Sequence, residues 1–86
     1  MGSPPLNDAL ADRLAFYRRA ILLSPRDEGL YYNVARLFLE WGKPDNAGQA
    51  LRKALAVKPN FKPAADLLSE VQAKVSGVSK DEGQET

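Results

Sequence analysis

The sequence predicts an all-α fold, a short stack of four helices, from three observations. The chain repeats itself, because Pro25 and Pro59 lie 34 positions apart and the residues before each proline match in type. A period of this length is typical of stacked helical hairpins. Apolar residues recur at helical spacing through four segments, and Pro or Gly residues separate those segments. The matched positions are Arg18-Arg19 with Arg52-Lys53, Ala20 with Ala54, and Ile21 with Leu55.

Composition places the chain among small globular domains. It has 86 residues, 44% of them hydrophobic, and a net charge of +1. No apolar run approaches the roughly 20 residues that a membrane span requires, and residues 1–5 lack the basic start and apolar stretch of a secretory signal. We therefore expect a cytoplasmic protein without a membrane partner. With zero cysteines, the redox compartment cannot be read.

The domain is expected to span residues 7–76, after a flexible segment at 1–6. The first helix is predicted over 7–23, where Asn7 or Asp8 can cap its N-terminus and Ser24-Pro25 ends it. Its apolar stripe consists of Leu10, Leu14, Tyr17 and Ile21, at the spacing of one buried face.

The second helix is predicted over 27–41 and the third over 44–57. The carboxylates of Asp27-Glu28 favour a helix N-terminus, and Gly42 supplies a left-handed stop. Pro44 suits the first turn of the third helix, which closes before Pro59. Small side chains predict a close approach of these two helices, with larger ones filling the remaining space. The small residues are Ala35, Ala47 and Ala54, and the larger ones are Tyr31, Phe38 and Leu51.

A fourth helix is predicted over 63–75, followed by a tail. Residues 77–86 are polar, acidic toward their end and without period, so we expect them to be disordered. If another hairpin partner followed this helix, the positions that match Tyr31, Ala35 and Phe38 would be apolar. They are Ala65, Ser69 and Gln72, which predicts a solvated capping helix.

One stretch of the chain resembles the tetratricopeptide repeat family. Residues 28–61 match the family pattern closely, residues 10–25 resemble the second half of an earlier repeat, and residues 62–75 a closing helix. The resemblance implies about one and a half repeats plus a C-terminal capping helix, and a non-catalytic protein-binding module. The departures from the family pattern are Val34, Pro44 and Gly48, and none of them breaks the hairpin. The residues that carry the match are Tyr31-x2-Val34-Ala35-x2-Phe38, Gly42, and Ala47-x3-Leu51-x2-Ala54-x4-Pro59.

Catalysis is not expected, because the chain has no His and no Cys and so lacks the usual metal ligands, nucleophile and general base. Asp66 and Glu70 lie four positions apart and could form an acid pair or hold a metal. Two solvated carboxylates on one helix face are the commoner explanation. We therefore expect no enzyme activity, no cofactor and no metal.

The family resemblance also implies a concave binding surface on the first helix of each hairpin. There Asn33 can bond a peptide backbone, Arg36 can hold a carboxylate, and Tyr32 offers apolar contact. A clamp for a chaperone C-terminus is not expected, because Pro63 and Leu67 stand where that clamp needs basic residues. The residues expected to bind a peptide or partner helix are Tyr32, Asn33, Arg36, Leu39 and Glu40 of the second helix and Asp66, Leu67, Glu70 and Lys74 of the fourth.

The first helix leaves an alternative open, because no partner helix precedes it in this sequence. Arg13 stands where Ala47 packs in the next unit, yet Leu10 and Tyr17 lie close by. Either this helix caps the stack, or an upstream segment or a second copy covers it. The second hypothesis is therefore a self-assembly element, a homodimer formed through Leu10, Arg13 and Tyr17.

A basic strip on the outer helices raises the question of nucleic acid. No aromatic residues interleave with its basic ones and the net charge is nearly balanced, so a solvated helix face is the better interpretation. No nucleic-acid partner is expected. The strip consists of Arg18, Arg19, Arg52, Lys53 and Lys58.

Overall fold

The structure, a computed structural model, describes residues 8–76, which form four helices without a strand. The predictions of a flexible segment at 1–6 and a disordered tail at 77–86 lie outside the described residues. The all-α helical stack predicted from the repeat is confirmed. In chain order the helices are α1 (Asp8–Leu23), α2 (Glu28–Trp41), α3 (Pro44–Val57) and α4 (Lys62–Ser76).

Both ends of α2 are fixed by local hydrogen bonds. Asp27 caps its N-terminus, since the Gly29 N–H donates to the Asp27 carboxylate over 3.0 Å. Gly42 adopts a left-handed conformation with φ 82° after the last helical residue. The Gly42 N–H donates to the Leu39 carbonyl over 3.0 Å, and the Lys43 N–H to the Phe38 carbonyl over 2.8 Å. This is the Schellman arrangement, so α2 ends sharply and α3 can return against it.

The seam between α2 and α3 is built from alanines. Ala35, Ala47 and Ala54 are 0% exposed, as is Leu51 beside them. Small side chains let the two backbones approach, and larger side chains of α2, such as Phe38, pack against the edge of this core. The predicted close-packed hairpin is therefore present, and it orients the opposite face of α2 outward.

The next seam joins α3 to α4. Ala64 and Val71 of α4 are 0% and 2% exposed, and Gly48 of α3 is buried opposite them. A Cβ atom on Gly48 would lie 3.8 Å from Val71 Cγ1 and 3.9 Å from Leu68 Cδ1, both ordinary van der Waals distances. The packing here therefore leaves room for a methyl group.

Helix α1 is buried on one face only. Leu10 and Leu14 belong to the buried core, 8% and 7% exposed. Phe16, Leu22 and Leu23 are 64%, 80% and 83% exposed. The described part of the chain thus packs α1 against α2 and leaves large apolar side chains of α1 open to solvent.

Candidate partner-binding groove

A groove of about 900 Å³ runs along one face of α2, with α1 on one side and α4 on the other. Ala35 and Phe38 of α2 pack toward the core. Residues on a neighbouring face of the same helix, such as Tyr32 and Arg36, therefore line the groove. We call this surface the groove. Its volume lies in the range of about 300–1,000 Å³ that is usual for ligand sites.

Helix α2 supplies the floor of the groove. All five residues predicted on this helix line it, and three of them, Tyr32, Asn33 and Leu39, are half-buried. Their spacing places them on one helical face, one turn apart. The five residues are Tyr32, Asn33, Arg36, Leu39 and Glu40.

Helix α4 supplies one wall. Asp66, Leu67 and Glu70 line the groove, and Pro63 in the first turn of α4 joins them. Lys74, which the sequence also suggested for this surface, is exposed and lies outside the groove lining. The structure therefore brings the eight other predicted side chains, from two helices, into one surface.

Neighbouring side chains hold parts of this surface in place. The Tyr32 ring packs edge-on against the Phe61 ring, with centroids 5.9 Å apart. The Arg36 guanidinium lies 6.0 Å from the Tyr32 centroid, at the outer limit of a cation–π contact. Lys62 Nζ lies 3.5 Å from Asp66 Oδ1. Tyr32 is therefore oriented before any ligand binds.

Two charged side chains that line the groove belong to no ion pair in the described part of the chain. Among residues 8–76, the three ion pairs involve neither Arg36 nor Glu70. Arg36 belongs to α2 and Glu70 to α4, and both line the groove. The groove thus presents one free cation and one free anion beside its apolar side chains.

Comparison with protein families bears on the same segment. A family model described as a tetratricopeptide repeat matches residues 29–61, which comprise α2 except its first residue, α3 and the connector to α4. The chain contains a tetratricopeptide repeat (TPR). The comparisons with curated proteins and with solved structures gave no match. TPRs generally mediate protein–protein interactions and are generally non-catalytic.

Within the described residues, no group of three or more His, Cys, Asp or Glu side chains is placed to hold a metal ion. None of the four helices is both long and apolar enough to cross a membrane.

The three residues predicted for a dimer face on α1 lie in different surroundings, and the homodimer stays a prediction. Leu10 is buried in the core of the helical stack. Arg13 Nη1 lies 3.3 Å from Glu40 Oε1, and Tyr17 is half-buried. Arg13 and Tyr17 both line the groove. The side of α1 that carries these residues therefore faces α2 and the groove.

The sequence contained part of the signal for this arrangement. The repeat aligns Arg13 with Ala47 and Tyr17 with Leu51, positions that face the partner helix in α3. In the described chain no helix occupies the equivalent place beside α1, so the longer side chains reach along α2 instead. The crossing angle between α1 and α2 determines where the Arg13 and Tyr17 side chains lie. Sequence spacing alone does not specify that angle.

Proposed function

We propose that this chain is a non-catalytic interaction module, a scaffold or adaptor that binds a peptide or a partner helix in the groove. The observation that carries the proposal is that eight side chains from α2 and α4 line one groove. TPRs generally serve protein–protein interaction. Our proposal assigns that general function to one surface of this chain, the groove.

The groove offers the contacts that a peptide needs. Asn33 carries an amide that can donate to a carbonyl and accept from an N–H of a ligand backbone. Tyr32, Leu39 and Leu67 provide half-buried apolar surface along the same groove. Apolar anchors with a few oriented polar groups are typical of peptide-binding grooves.

The free charges predict what the ligand should carry. A carboxylate near Arg36 can accept two parallel N–H bonds, which is the favoured geometry of a guanidinium. A basic side chain suits Glu70 on α4. We therefore expect a bound segment that has an acidic and a basic residue, separated by apolar side chains.

The test is selection from a library of random displayed peptides, followed by fluorescence anisotropy on the peptides recovered. Arg36→Ala should raise Kd about tenfold, as expected for a lost charge-assisted hydrogen bond. Asn33→Ala should also weaken binding. Arg26→Ala is the matched control, because Arg26 is exposed between α1 and α2 and outside the groove. Recovery of no peptide, or equal Kd for Arg36→Ala and Arg26→Ala, would refute the proposal.

Self-assembly through α1 is the second candidate, because Phe16 and Leu23 leave an apolar face open. The exposed Phe16 and Leu23 extend the contact predicted through Leu10, Arg13 and Tyr17. Light scattering across a concentration series should then give a dimer mass, and Phe16→Ser should restore the monomer. A monomer at every concentration would exclude this candidate and leave the groove proposal intact.

A cytoplasmic location and the absence of a nucleic-acid partner stay predictions.

A further inference from the structure

A second cleft, of about 500 Å³, lies between α1, α2 and α3. It uses the opposite face of α2 from the groove, since Phe38 lines it. We call it the α1–α3 cleft. Helix α1 contributes Ile21 and Leu22, and α3 contributes Ala50. The cleft is thus lined mainly by apolar side chains, and its volume again falls within the range of about 300–1,000 Å³ for ligand sites.

The charges around this cleft all have one sign. Arg18 of α1 and Lys53 of α3 line it, and its other polar side chains are uncharged: the Tyr31 phenol and the amides of Asn46 and Gln49. Among the described residues, neither Arg18 nor Lys53 belongs to an ion pair. Both side chains are exposed, so they can turn toward a ligand. An apolar floor between two unpaired cations is complementary to an anionic ligand that has an apolar centre.

Leu22 adds a second argument. It is 80% exposed although it lines the cleft, so most of its apolar surface is uncovered. Covering such a side chain is favourable, because it removes apolar surface from water. A bound apolar side chain would cover Leu22 and the cleft floor together.

From these observations we infer that the α1–α3 cleft binds an acidic peptide segment, in which apolar side chains enter the cleft and flanking carboxylates pair with Arg18 and Lys53. The site is separate from the groove, so the chain carries two interaction surfaces. Nucleic acid fits less well, because a phosphate backbone has no apolar side chain to place between the two cations.

Three acetylated, amidated hexapeptides test the chemistry. The first is Glu-Glu-Leu-Phe-Glu-Glu, the second replaces every Glu with Lys, and the third replaces Leu-Phe with Ser-Ser. Titration followed by amide and methyl NMR shifts should show binding of the first peptide alone, with shifts at Ile21, Leu22 and Phe38. Equal binding of the first and second peptides, or of the first and third, would overturn the inference.

Matched variants locate the site. Arg18→Glu/Lys53→Glu should weaken the first peptide about tenfold, and should bind the Lys peptide instead, because the charge complementarity is reversed. Arg19→Glu/Arg52→Glu changes the net charge equally but at positions outside the cleft lining, and should leave Kd within about twofold. Equal losses in the two double variants would mean non-specific charge attraction and would overturn the inference.

Adjacent leucines test the apolar contribution. Leu22→Ser should weaken the first peptide severalfold, whereas Leu23→Ser should not, because Leu23 is 83% exposed but does not line the cleft. All these side chains are exposed, so the variants should fold, and circular dichroism checks this. A single-stranded oligothymidylate serves as the competing probe. If it displaces no peptide, the inference is supported; if it binds the cleft more tightly than the peptide, the inference fails.

Discussion

The Arg13 guanidinium lies 3.3 Å from the Glu40 carboxylate, and this contact joins α1 to α2 at the groove. It connects two surfaces that the sequence suggested to be separate, a dimer face on α1 and a binding face on α2. Substitution of Arg13 therefore affects both surfaces. Phe16, which is exposed on α1 and lies outside the groove lining, is the better residue to separate self-assembly from peptide binding.

The Arg13–Glu40 pair should contribute little to stability. Each side chain is 55% exposed, and exposed pairs are worth about 0.2–1 kcal/mol. A double-mutant cycle with Arg13→Ala and Glu40→Ala, measured by urea unfolding, should give a coupling energy near the lower end of that range. The coupling energy should be smaller in 1 M salt, because the Debye length is then only about 3 Å and the two charges are screened from each other. A coupling above about 2 kcal/mol that resists salt would contradict the exposed geometry.

Gly48→Ala should stabilise the fold by about 1 kcal/mol, because alanine is the better helix former and the new methyl group fits at ordinary van der Waals distances. Its Cβ would lie 3.8 Å from the nearest side-chain atom, on Val71. Gly29→Ala is the comparison, since its Cβ would lie 3.3 Å from the Asp27 carboxylate that caps α2. Urea unfolding should show a smaller gain for Gly29→Ala. Destabilisation by Gly48→Ala would show that the α3–α4 seam is tighter than these distances indicate.

Asp27→Ala should destabilise the fold by about 1 kcal/mol, the usual cost of losing an N-cap. The Asp27 carboxylate accepts a 3.0 Å hydrogen bond from the Gly29 N–H. Asp45→Ala is the control, because Asp45 lies exposed in the first turn of α3 and the cap position of that helix makes no side-chain hydrogen bond. Thermal unfolding monitored by circular dichroism should separate the two variants. Equal losses would argue against the cap.

Ala47→Leu should overpack the α2–α3 seam and destabilise the fold by about 1–3 kcal/mol. Ala47 is 0% exposed and faces α2. Ala56→Leu, on the exposed side of α3, should change stability by less than about 0.5 kcal/mol. If both variants unfold at the same urea concentration, the two helices are not as closely packed as their alanines indicate.

Local pattern in the sequence was sufficient to predict the four helices and the residues that line most of the groove. The Asp27 cap, the Gly42 stop and Pro44 act within a turn of the backbone, so their effect follows from neighbouring residues alone. The alanine seam was predictable because helical spacing fixes which side chains share a face. Once that seam buries one face of α2, Tyr32 and Arg36 must lie on another.

Tertiary structure alone decided what α1 does. Its apolar stripe predicted a buried face, but its angle and depth against α2 depend on packing between residues far apart in the chain. That packing buries Leu10, carries Arg13 to Glu40, and leaves the α1–α3 cleft beside Leu22. An apolar stripe specifies which face of a helix is buried. It does not specify how far away the neighbouring helix lies. The contribution of α1 to the groove and the existence of the α1–α3 cleft could therefore be recognised only in the tertiary structure.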